Sequence, residues 1–283
     1  MDYAAMPLLV LRHFGEALAS SLPITLVTAA VFTIVSLLAA RGSRTPWWRK
    51  RGLVTDLTYI AVLPGIAGYA RSLMLVTGIV FLYGVDQRSG IEAFMRGGIG
   101  PLAGLPFWVE AVLYLLIADL VMYTTHRLLH GRRLWSFHAV HHSSEDVEWI
   151  SAYRVHPMEL VFHSALADVV PMLLGVPAEV IVALVPFQVG SAALAHADLD
   201  WTFGPFRYVL ASPVFHRWHH TSPRQGGNTN FAATFPFIDL LFGTFHMPVG
   251  EMPTRFGVPN MPDDFTGQIM HPFRRAKPAK AVS

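Results

Sequence analysis

Long apolar stretches are the feature that most restricts what this chain can fold into. Residues 24–40, ITLVTAAVFTIVSLLAA, contain no charged side chain, and about 20 such residues are enough to cross a bilayer as a helix. Of all 283 residues, 53% are hydrophobic and 14% are charged, whereas roughly 25% of residues are charged in soluble domains. The sequence therefore predicts an all-α, multi-span transmembrane helical bundle.

A second span is predicted in residues 57–85, which are apolar except for Arg71. Pro64 and Gly65 interrupt this stretch, so that one long kinked span and a re-entrant pair are both compatible with its composition. The charges of the flanking loops favour a single crossing, because the loop before it is basic and the loop after it is balanced.

The remaining spans are predicted from residues 107–125 and from the mostly apolar stretch between His156 and His196. This stretch is long enough for two crossings, and GVP at 175–177 supplies the turn between them. The hairpin would bring its two flanking histidines to the same membrane face. The total is about five crossings.

The first predicted span is followed by a loop with five cations beside two tryptophans. Cytoplasmic loops carry an excess of such cations, and tryptophan favours the membrane interface, so we expect this loop to be cytoplasmic and the N-terminus to lie outside. The residues are Arg41, Arg44, Trp47, Trp48, Arg49, Lys50 and Arg51. Residues 197–283 are more polar and are expected to form a cytoplasmic cap, ending in a disordered tail.

Composition also excludes several functional classes. The chain contains no cysteine, so thiolate metal sites, disulfides and cysteine nucleophiles are excluded, and any metal must be bound by nitrogen or oxygen. The formal net charge is only +2, and the basic residues lie beside apolar stretches. Because nucleic-acid-binding proteins present basic patches, no nucleic-acid partner is expected.

Histidines gather in three clusters where the predicted third span ends and in the polar cap. In HRLLH the spacing is i, i+4, which places both rings on one helix face, and HAVHH and HRWHH combine i+3 and i+4 spacings. We expect each cluster to bind an ion from one side. The eight residues are His126, His130, His138, His141, His142, His216, His219 and His220.

Eight imidazoles exceed the number of ligands that one tetrahedral ion accepts. Imidazole suits zinc, copper, iron and nickel, and two such ions would accommodate eight to ten imidazoles while leaving positions for oxygen or water. The sequence therefore predicts a dinuclear site in the cytoplasmic helical cap.

The combined motifs resemble those of the fatty acid hydroxylase, or sterol desaturase, superfamily of integral membrane diiron enzymes. The matching segments are, in order, HRLLH, LWSFHAVHH, RVHPME, HADLD, HRWHH, NTNFA and LFGTFH. The resemblance implies a catalytic domain at 106–246, preceded by a transmembrane region at 1–105 and followed by a cytoplasmic tail at 247–283. It also implies His156 and His196 as the ninth and tenth ligands, with no catalytic residue beyond the metal ligands.

The activity implied by this resemblance is hydroxylation or desaturation of a lipid C–H bond by an iron-dependent, monooxygenase-type oxidoreductase of lipid biosynthesis. The cofactors would be two iron ions with O2 as co-substrate. The substrate, such as a sterol, a fatty acyl chain or a sphingoid chain, would enter from the bilayer. Because the chain shows no nucleotide-binding or haem-binding motif of its own, a separate ferredoxin or cytochrome b5-type donor with its reductase is expected.

Several acidic and basic residues are expected to orient the ligands, because metal-bound histidines usually donate their other N–H to a carboxylate or carbonyl. Asp119 precedes His126 by two helical turns on the same face. Asp200 occupies a position where some relatives carry a second histidine, and it could orient a ligand or bind metal itself. The full set is Asp119, Arg154, Glu159, Asp198 and Asp200. We expect His163 and Asp168, within the fourth span, to pair with each other, although lining a substrate channel is the alternative.

Two other functional classes are compatible with parts of this pattern. A non-redox lipid hydrolase could use the same nitrogen-rich site with zinc, and a metal or proton transporter could use intramembrane histidine and aspartate. Transporter sites usually lie near the membrane midplane, whereas these histidines cluster at span ends. A bacterial cytoplasmic membrane is the expected location, with the endoplasmic reticulum as the alternative.

Overall fold

The computed structural model describes residues 6–39 and 45–274. Arg41 and Arg44 of the predicted basic loop, and residues 275–283 of the predicted tail, lie outside the described residues. Within the described part the regular secondary structure is entirely helical, which confirms the predicted all-α class.

Eleven α-helices are described. In chain order they are α1 (Met6–Leu38), α2 (Leu53–Tyr83), α3 (Arg88–Gly97), α4 (Phe107–Leu129), α5 (Trp135–His138), α6 (Pro157–Leu160), α7 (Leu166–Leu173), α8 (Ala178–His196), α9 (Pro213–His219), α10 (Phe237–Leu241) and α11 (Phe265–Met270). A π-helical turn over Val161–Ala165 joins α6 to α7.

Four described helices are long and apolar enough to cross a membrane, namely Leu18–Leu38 within α1, α2, α4 and α8. The helix α2 continues through Pro64 without a break, so the single-helix interpretation is confirmed and the re-entrant pair is wrong. Large apolar side chains cover the outer faces of these helices: Phe81 is 83% exposed and Trp108 is 69% exposed. Such faces suit contact with lipid.

The fifth predicted crossing is helical but irregular. Residues 157–173 form α6, the π-helical turn and α7, and this arm is shorter and more interrupted than the four candidate spans. It turns back into α8 at Gly175, where φ is 110° and an added Cβ would lie 2.8 Å from the backbone nitrogen of Ala103. The hairpin therefore exists, although only its second arm meets the length of a membrane span.

The main apolar core lies between α2, α3, α4, α7 and α8. It contains Ile79, Phe94 and Tyr114, all no more than 1% exposed, packed against Met172 and Ile181. A second core joins α1 to the loop before α6, where the rings of Phe32 and Trp149 stack with centroids 5.9 Å apart. Together these cores bring the ends of α4 and α8 to the same end of the bundle.

A buried ionic cluster fastens the start of α2 to the segment that precedes α6. Asp56 is fully buried; its Oδ2 lies 2.7 Å from Lys50 Nζ and its Oδ1 lies 2.6 Å from Arg154 Nη2. Lys50 also donates to the hydroxyl groups of Ser144 and Ser151. One carboxylate thus compensates two cations that are otherwise shielded from water.

Replacing Asp56 with Asn should destabilise the fold strongly, because it leaves two buried cations without their counter-ion. Removing one partner of a buried ion pair usually lowers the free energy of unfolding by about 3–5 kcal/mol. The matched control is Glu145→Gln, because Glu145 pairs with Arg51 at a site where both side chains are more than half exposed; a change within about 0.5 kcal/mol is expected there. Equilibrium unfolding in detergent measures both values, and equal effects would contradict the prediction.

Candidate metal centre

Nine of the ten predicted ligand histidines lie together in two adjacent groups. In each group one possible ligand atom per residue lies within 4.8 Å of all the others. The first cluster comprises His126, His130, His138, His142 and His219, and the second comprises His141, His196, His216 and His220. All are buried except the half-buried His130. The ring centroids of His142 and His220 lie 4.6 Å apart, so the clusters are direct neighbours.

The two HxxHH motifs divide their histidines between the clusters, which corrects the expectation that each motif converges on one ion. His138 and His142 join the first cluster while His141 joins the second. His138 ends α5, and His141–Ser143 form a separate 3-10 helix. The side chains of the adjacent residues His141 and His142 point in different directions, because a helical turn rotates each residue by about 100–120°.

The motif HRWHH divides its histidines in the opposite sense. His216 and His220 join the second cluster while His219 joins the first. These rings are carried by α9, whose start is capped by Ser212 Oγ, the acceptor of the Phe215 N–H. Each motif therefore supplies ligands to both sites.

Carbonyl groups of the loop 229–235 orient two rings of the first cluster. The Nδ1 of His126 lies 2.8 Å from the carbonyl oxygen of Phe231, and the Nδ1 of His219 lies 2.7 Å from that of Thr229. Because a carbonyl oxygen only accepts hydrogen bonds, each Nδ1 carries the proton and each Nε2 keeps its lone pair.

Three further rings are oriented in the same way from other elements. The Nδ1 atoms of His138, His141 and His196 lie 2.8, 3.1 and 2.8 Å from Glu159 Oε1, the Arg154 carbonyl and the Ala192 carbonyl, respectively. The predicted orienting role of Glu159 thus agrees with its position. Arg154 reaches a ring through its carbonyl group while its side chain pairs with Asp56.

The donor set fits a pair of cations. The Nε2 atoms of His141 and His196 are 3.2 Å apart, and the hydrogen bonds at Nδ1 leave an unprotonated lone pair on each. Such lone pairs repel each other unless a cation lies between them. Nitrogens about 2.1 Å from a shared ion lie about 3 Å apart at neighbouring corners of its coordination shell, which matches the 3.0–3.2 Å spacings observed in both clusters.

A further buried nitrogen supports the same fit. His130 Nε2 has no hydrogen-bond partner among the described residues, and it belongs to a ring packed against those of His138, His142 and His219. An unsatisfied buried nitrogen is unfavourable, and coordination to an ion would satisfy it.

Asp119 supports the site indirectly. Its carboxylate accepts hydrogen bonds from the backbone N–H groups of Ala233, Thr234 and Phe235 at 2.6–3.1 Å, which fixes the loop whose Phe231 carbonyl orients His126. Direct contact with a histidine ring was expected and is not seen.

Two other side chains fold the same loop. Asp239 accepts from the N–H groups of Phe231 and Ala232, and Asn230, with φ of 57°, donates to the carbonyls of Phe215 and His246. These contacts hold the turns of the loop in place. The loop carbonyls themselves could not be identified from side-chain chemistry, because every residue type supplies one.

The two remaining predicted orienting residues lie beside α9. Asp198 Oδ1 is 2.7 Å from Arg217 Nη2, so that it fastens the helix that carries three of the histidines. Asp200 is 39% exposed, lies 3.9 Å from Arg217 Nη1 and belongs to neither cluster. Arg217 was not singled out by the sequence reasoning, although it stands inside the motif HRWHH.

His156 is the one predicted ligand that belongs to neither cluster. Its Nδ1 accepts the N–H of Met158 at the start of α6, and its Nε2 donates to the carbonyl of Ile269. Its ring packs against Phe137 and Phe273. Because both ring nitrogens bind the backbone, neither offers a lone pair to an ion, and its role here is that of a helix cap.

The predicted pairing of His163 with Asp168 is wrong. His163 Nδ1 lies 2.9 Å from Thr125 Oγ1, and its ring centroid is 5.3 Å from that of His126. Asp168 instead pairs with Arg71 at 2.7 Å.

Burial favours the neutral form of the clustered imidazoles that lie outside the candidate membrane spans. It lowers the pKa of His141 to about 4 and that of His130 to about 3, from an ordinary value of 6.5. Burial also lowers the pKa of His142, His219 and His220 well below that value. Neutral imidazole is the form that binds metal ions.

A helical bundle with four candidate membrane spans carries two adjacent clusters of imidazoles at one end, and this arrangement could hold two metal ions. Residues 111–244 match the family described as fatty acid hydroxylase. This match lies over the predicted motifs and supports their resemblance to the fatty acid hydroxylase and sterol desaturase superfamily.

Relatives from distant organisms show the same relationship. An ornithine lipid hydroxylase from Rhizobium tropici is 34% identical over 60% of this chain and 52% of its own length. A methylsterol monooxygenase from Arabidopsis thaliana is 29% identical over 50% and 55%, and an alkylglycerol monooxygenase from Homo sapiens is 30% identical over 45% and 28%. The chain spans about half or less of the length of these relatives. No solved structure matches it.

Removing one ring from either cluster should remove one ion. His219→Ala and His220→Ala delete neighbouring residues that face different clusters, so we expect each to lower the metal content from about two ions per chain to about one. His156→Gln is the control and should retain both ions, because its ring nitrogens are bound to backbone. Metal analysis of the purified variants measures the stoichiometry, and full occupancy in either alanine variant would contradict the assignment.

Acid should destabilise the metal-free protein. The unfolded chain binds protons near pH 6.5, whereas folded His141 binds one only near pH 4, so the unfolded state holds more protons between these values and stability falls as the pH is lowered through this window. Thermal denaturation of metal-stripped protein from about pH 7.5 to about pH 4.5 measures this slope. His141→Gln should show a shallower slope; an unchanged slope would contradict the prediction.

Proposed function

We propose that this chain is an O2-dependent diiron enzyme that hydroxylates or desaturates a C–H bond of a membrane lipid. The observation that carries the proposal is the set of Nε2 lone pairs that converge on two adjacent points at one end of a lipid-facing bundle. The match of residues 111–244 to the fatty acid hydroxylase family supports iron as the metal. The nitrogen-only donor set is compatible with that metal.

Five imidazoles would hold one iron ion and four would hold the other. The two ions supply the activation of O2 that oxidation of an aliphatic C–H bond requires, while the protein contributes binding and orientation. The carbonyl groups of Phe231, Thr229, Arg154 and Ala192, together with Glu159, hold the rings in position.

A cavity of about 320 Å³ lies between α2, α4, α7 and α8 and is lined in part by Ala233 and Thr234 of the loop that orients the first cluster, although none of its lining residues is a histidine. Its walls include Leu115, Met122, Val185 and Val189, and near the clusters it is lined by Ala192, whose carbonyl orients His196. An apolar wall suits an aliphatic chain. A lipid chain in this cavity would place its unreactive carbons beside the metals.

The names of the relatives support a lipid as the substrate class. Those names specify an ornithine lipid, a methylsterol and an alkylglycerol, which share an aliphatic skeleton and a membrane location. We therefore propose a lipid that enters from the bilayer. The histidine-bearing end would face the cytoplasm, in agreement with the basic residues near the start of α2, and a bacterial cytoplasmic membrane is the proposed location.

The electrons would come from a separate ferredoxin or cytochrome b5-type protein. Arg132, Arg133 and Arg224 are exposed at the histidine-bearing end of the bundle, and complementary charge steers acidic partners to such sites. These residues form the proposed docking surface.

Oxidation of a lipid by purified protein tests this function. Iron-loaded protein is incubated with a membrane lipid extract, a reduced ferredoxin and isotopically labelled O2, and the lipids are analysed by mass spectrometry. We expect incorporation of one labelled oxygen atom, or loss of two hydrogens, in one lipid class. Activity with zinc in the absence of O2 would instead identify a hydrolase and overturn the proposal.

Variants connect the activity to the site. Glu159→Gln should lower the rate about 10–100-fold, because partners that orient a metal-bound histidine have effects of this size. His219→Ala and His220→Ala should abolish turnover, while His156→Gln should remain active. An inactive His156→Gln protein that still binds two ions would contradict this account of His156.

A further inference from the structure

Several polar side chains lie in or beside the wall of the cavity. These are Arg71 of α2, Tyr114 of α4, Asp168 of α7 and Gln188 of α8, and we call them the polar floor. Arg71, Asp168 and Gln188 line the cavity directly. Ionisable side chains within membrane-spanning bundles are costly and generally serve a function, and neither the metal clusters nor the loop that orients them uses these residues.

The polar floor is internally connected. Arg71 Nε lies 2.7 Å from Asp168 Oδ2, the Tyr114 hydroxyl donates to Asp168 Oδ1 at 2.6 Å, and Gln188 Nε2 donates to the Tyr114 hydroxyl oxygen at 2.6 Å. Both carboxylate oxygens of Asp168 are therefore engaged, and the charge of the ion pair sums to zero.

Hydrogen-bond donors remain in excess at this site. A guanidinium group has five N–H donors. The ion pair with Asp168 is a contact of Arg71 Nε at 2.7 Å, but Nε makes no hydrogen bond to a described residue. The Arg71 side chain is 40% exposed, whereas that of Asp168 is 6% exposed, so the remaining donors are the accessible part of the ion pair. A ligand group that accepts hydrogen bonds would satisfy them.

The charge balance specifies the kind of acceptor. Because Asp168 already neutralises Arg71, a carboxylate ligand would add an uncompensated charge to a low-dielectric site, which is unfavourable. A bare hydrocarbon would leave the guanidinium donors without acceptors. An uncharged oxygen-bearing group, such as an ester or amide carbonyl or a hydroxyl, avoids both penalties.

The polar floor lies at a fixed depth below the clusters. Gln188 and His196 are on the same helix, eight residues apart, which corresponds to about 12 Å at the rise of an α-helix. A lipid whose oxygen-bearing group is bound at the floor would therefore present a defined carbon of its chain to the metals.

We propose that the polar floor binds an uncharged oxygen-bearing group of the lipid substrate and thereby selects both the substrate and the carbon that is oxidised. This inference rests on the proposed function only for its second part; the binding preference exists with or without turnover.

Binding to metal-free protein in lipid nanodiscs tests the preference without catalysis. The radiolabelled probes are methyl palmitate, hexadecane and palmitate, each measured against empty nanodiscs. We expect the ester to bind the wild-type chain about tenfold more tightly than hexadecane, since one hydrogen bond to a charged donor contributes about 1.4 kcal/mol. Equal binding of ester and hydrocarbon, or tighter binding of palmitate than of the ester, would overturn the inference.

Two variants assign the preference to the polar floor. The double variant Arg71→Met/Asp168→Asn preserves neutrality and the acceptor for Tyr114, and Gln188→Leu removes one amide at similar volume. Each variant should lower the ratio of methyl palmitate affinity to hexadecane affinity at least about threefold, and hexadecane affinity itself should not change. If the double variant does not fold, Gln188→Leu decides. Arg88→Met is the matched control, because Arg88 is 93% exposed and pairs with Glu92 away from the cavity.

The proposed function and this inference can fail separately. If wild-type protein prefers the ester but oxidises no lipid, the oxygenase proposal fails and the binding site stands. If wild-type protein oxidises lipid but the ratio of ester affinity to hydrocarbon affinity is unchanged in both variants, the inference alone is overturned. A shift in the position of the introduced oxygen in either variant supports the second part of the proposal.

Discussion

The candidate metal centre depends on hydrogen bonds made by the ring nitrogens that face away from the two clusters. Five rings present Nδ1 to a carbonyl or carboxylate oxygen, and this contact determines the tautomer and the direction of the remaining lone pair. Without it, each ring could rotate or exchange its proton, and the lone pairs of the nine clustered imidazoles would repel one another. The loop 229–235, the α6 arm and α8 are therefore as necessary to the site as the histidines.

Much of the fold could be predicted because its signals are local. Long, mostly apolar stretches identified α1, α2, α4 and α8, and the turn at 175–177 identified the hairpin. The first arm of that hairpin was harder to predict, because the π-helical turn at Val161–Ala165 depends on packing and not on composition. That nine histidines gather in two groups was also predictable in part. Eight of them stand in three sequence motifs with helical spacing, and the family resemblance added His196.

The rest of the site could not be predicted, because it depends on how segments distant in sequence meet. The assignment of His141 and His142 to different clusters follows from the local helical rotation, but which cluster each ring joins is set by α8 and α9. His156 resembles a ligand in its motif, yet the start of α6 and the carbonyl of Ile269 occupy both of its nitrogens. Asp119 was placed correctly near the site, but its contacts are to backbone groups more than a hundred residues away.

The division of neighbouring histidines between the clusters has a mechanical consequence. At 141–142 and again at 219–220, a single peptide unit joins a ligand of one ion to a ligand of the other, and consecutive Cα atoms are held about 3.8 Å apart by covalent geometry. Each of these two peptide units therefore limits how far the clusters can separate. If both clusters held an ion, motion of the surrounding helices would tend to move the two ions together, because the backbone bonds that join their ligands do not stretch.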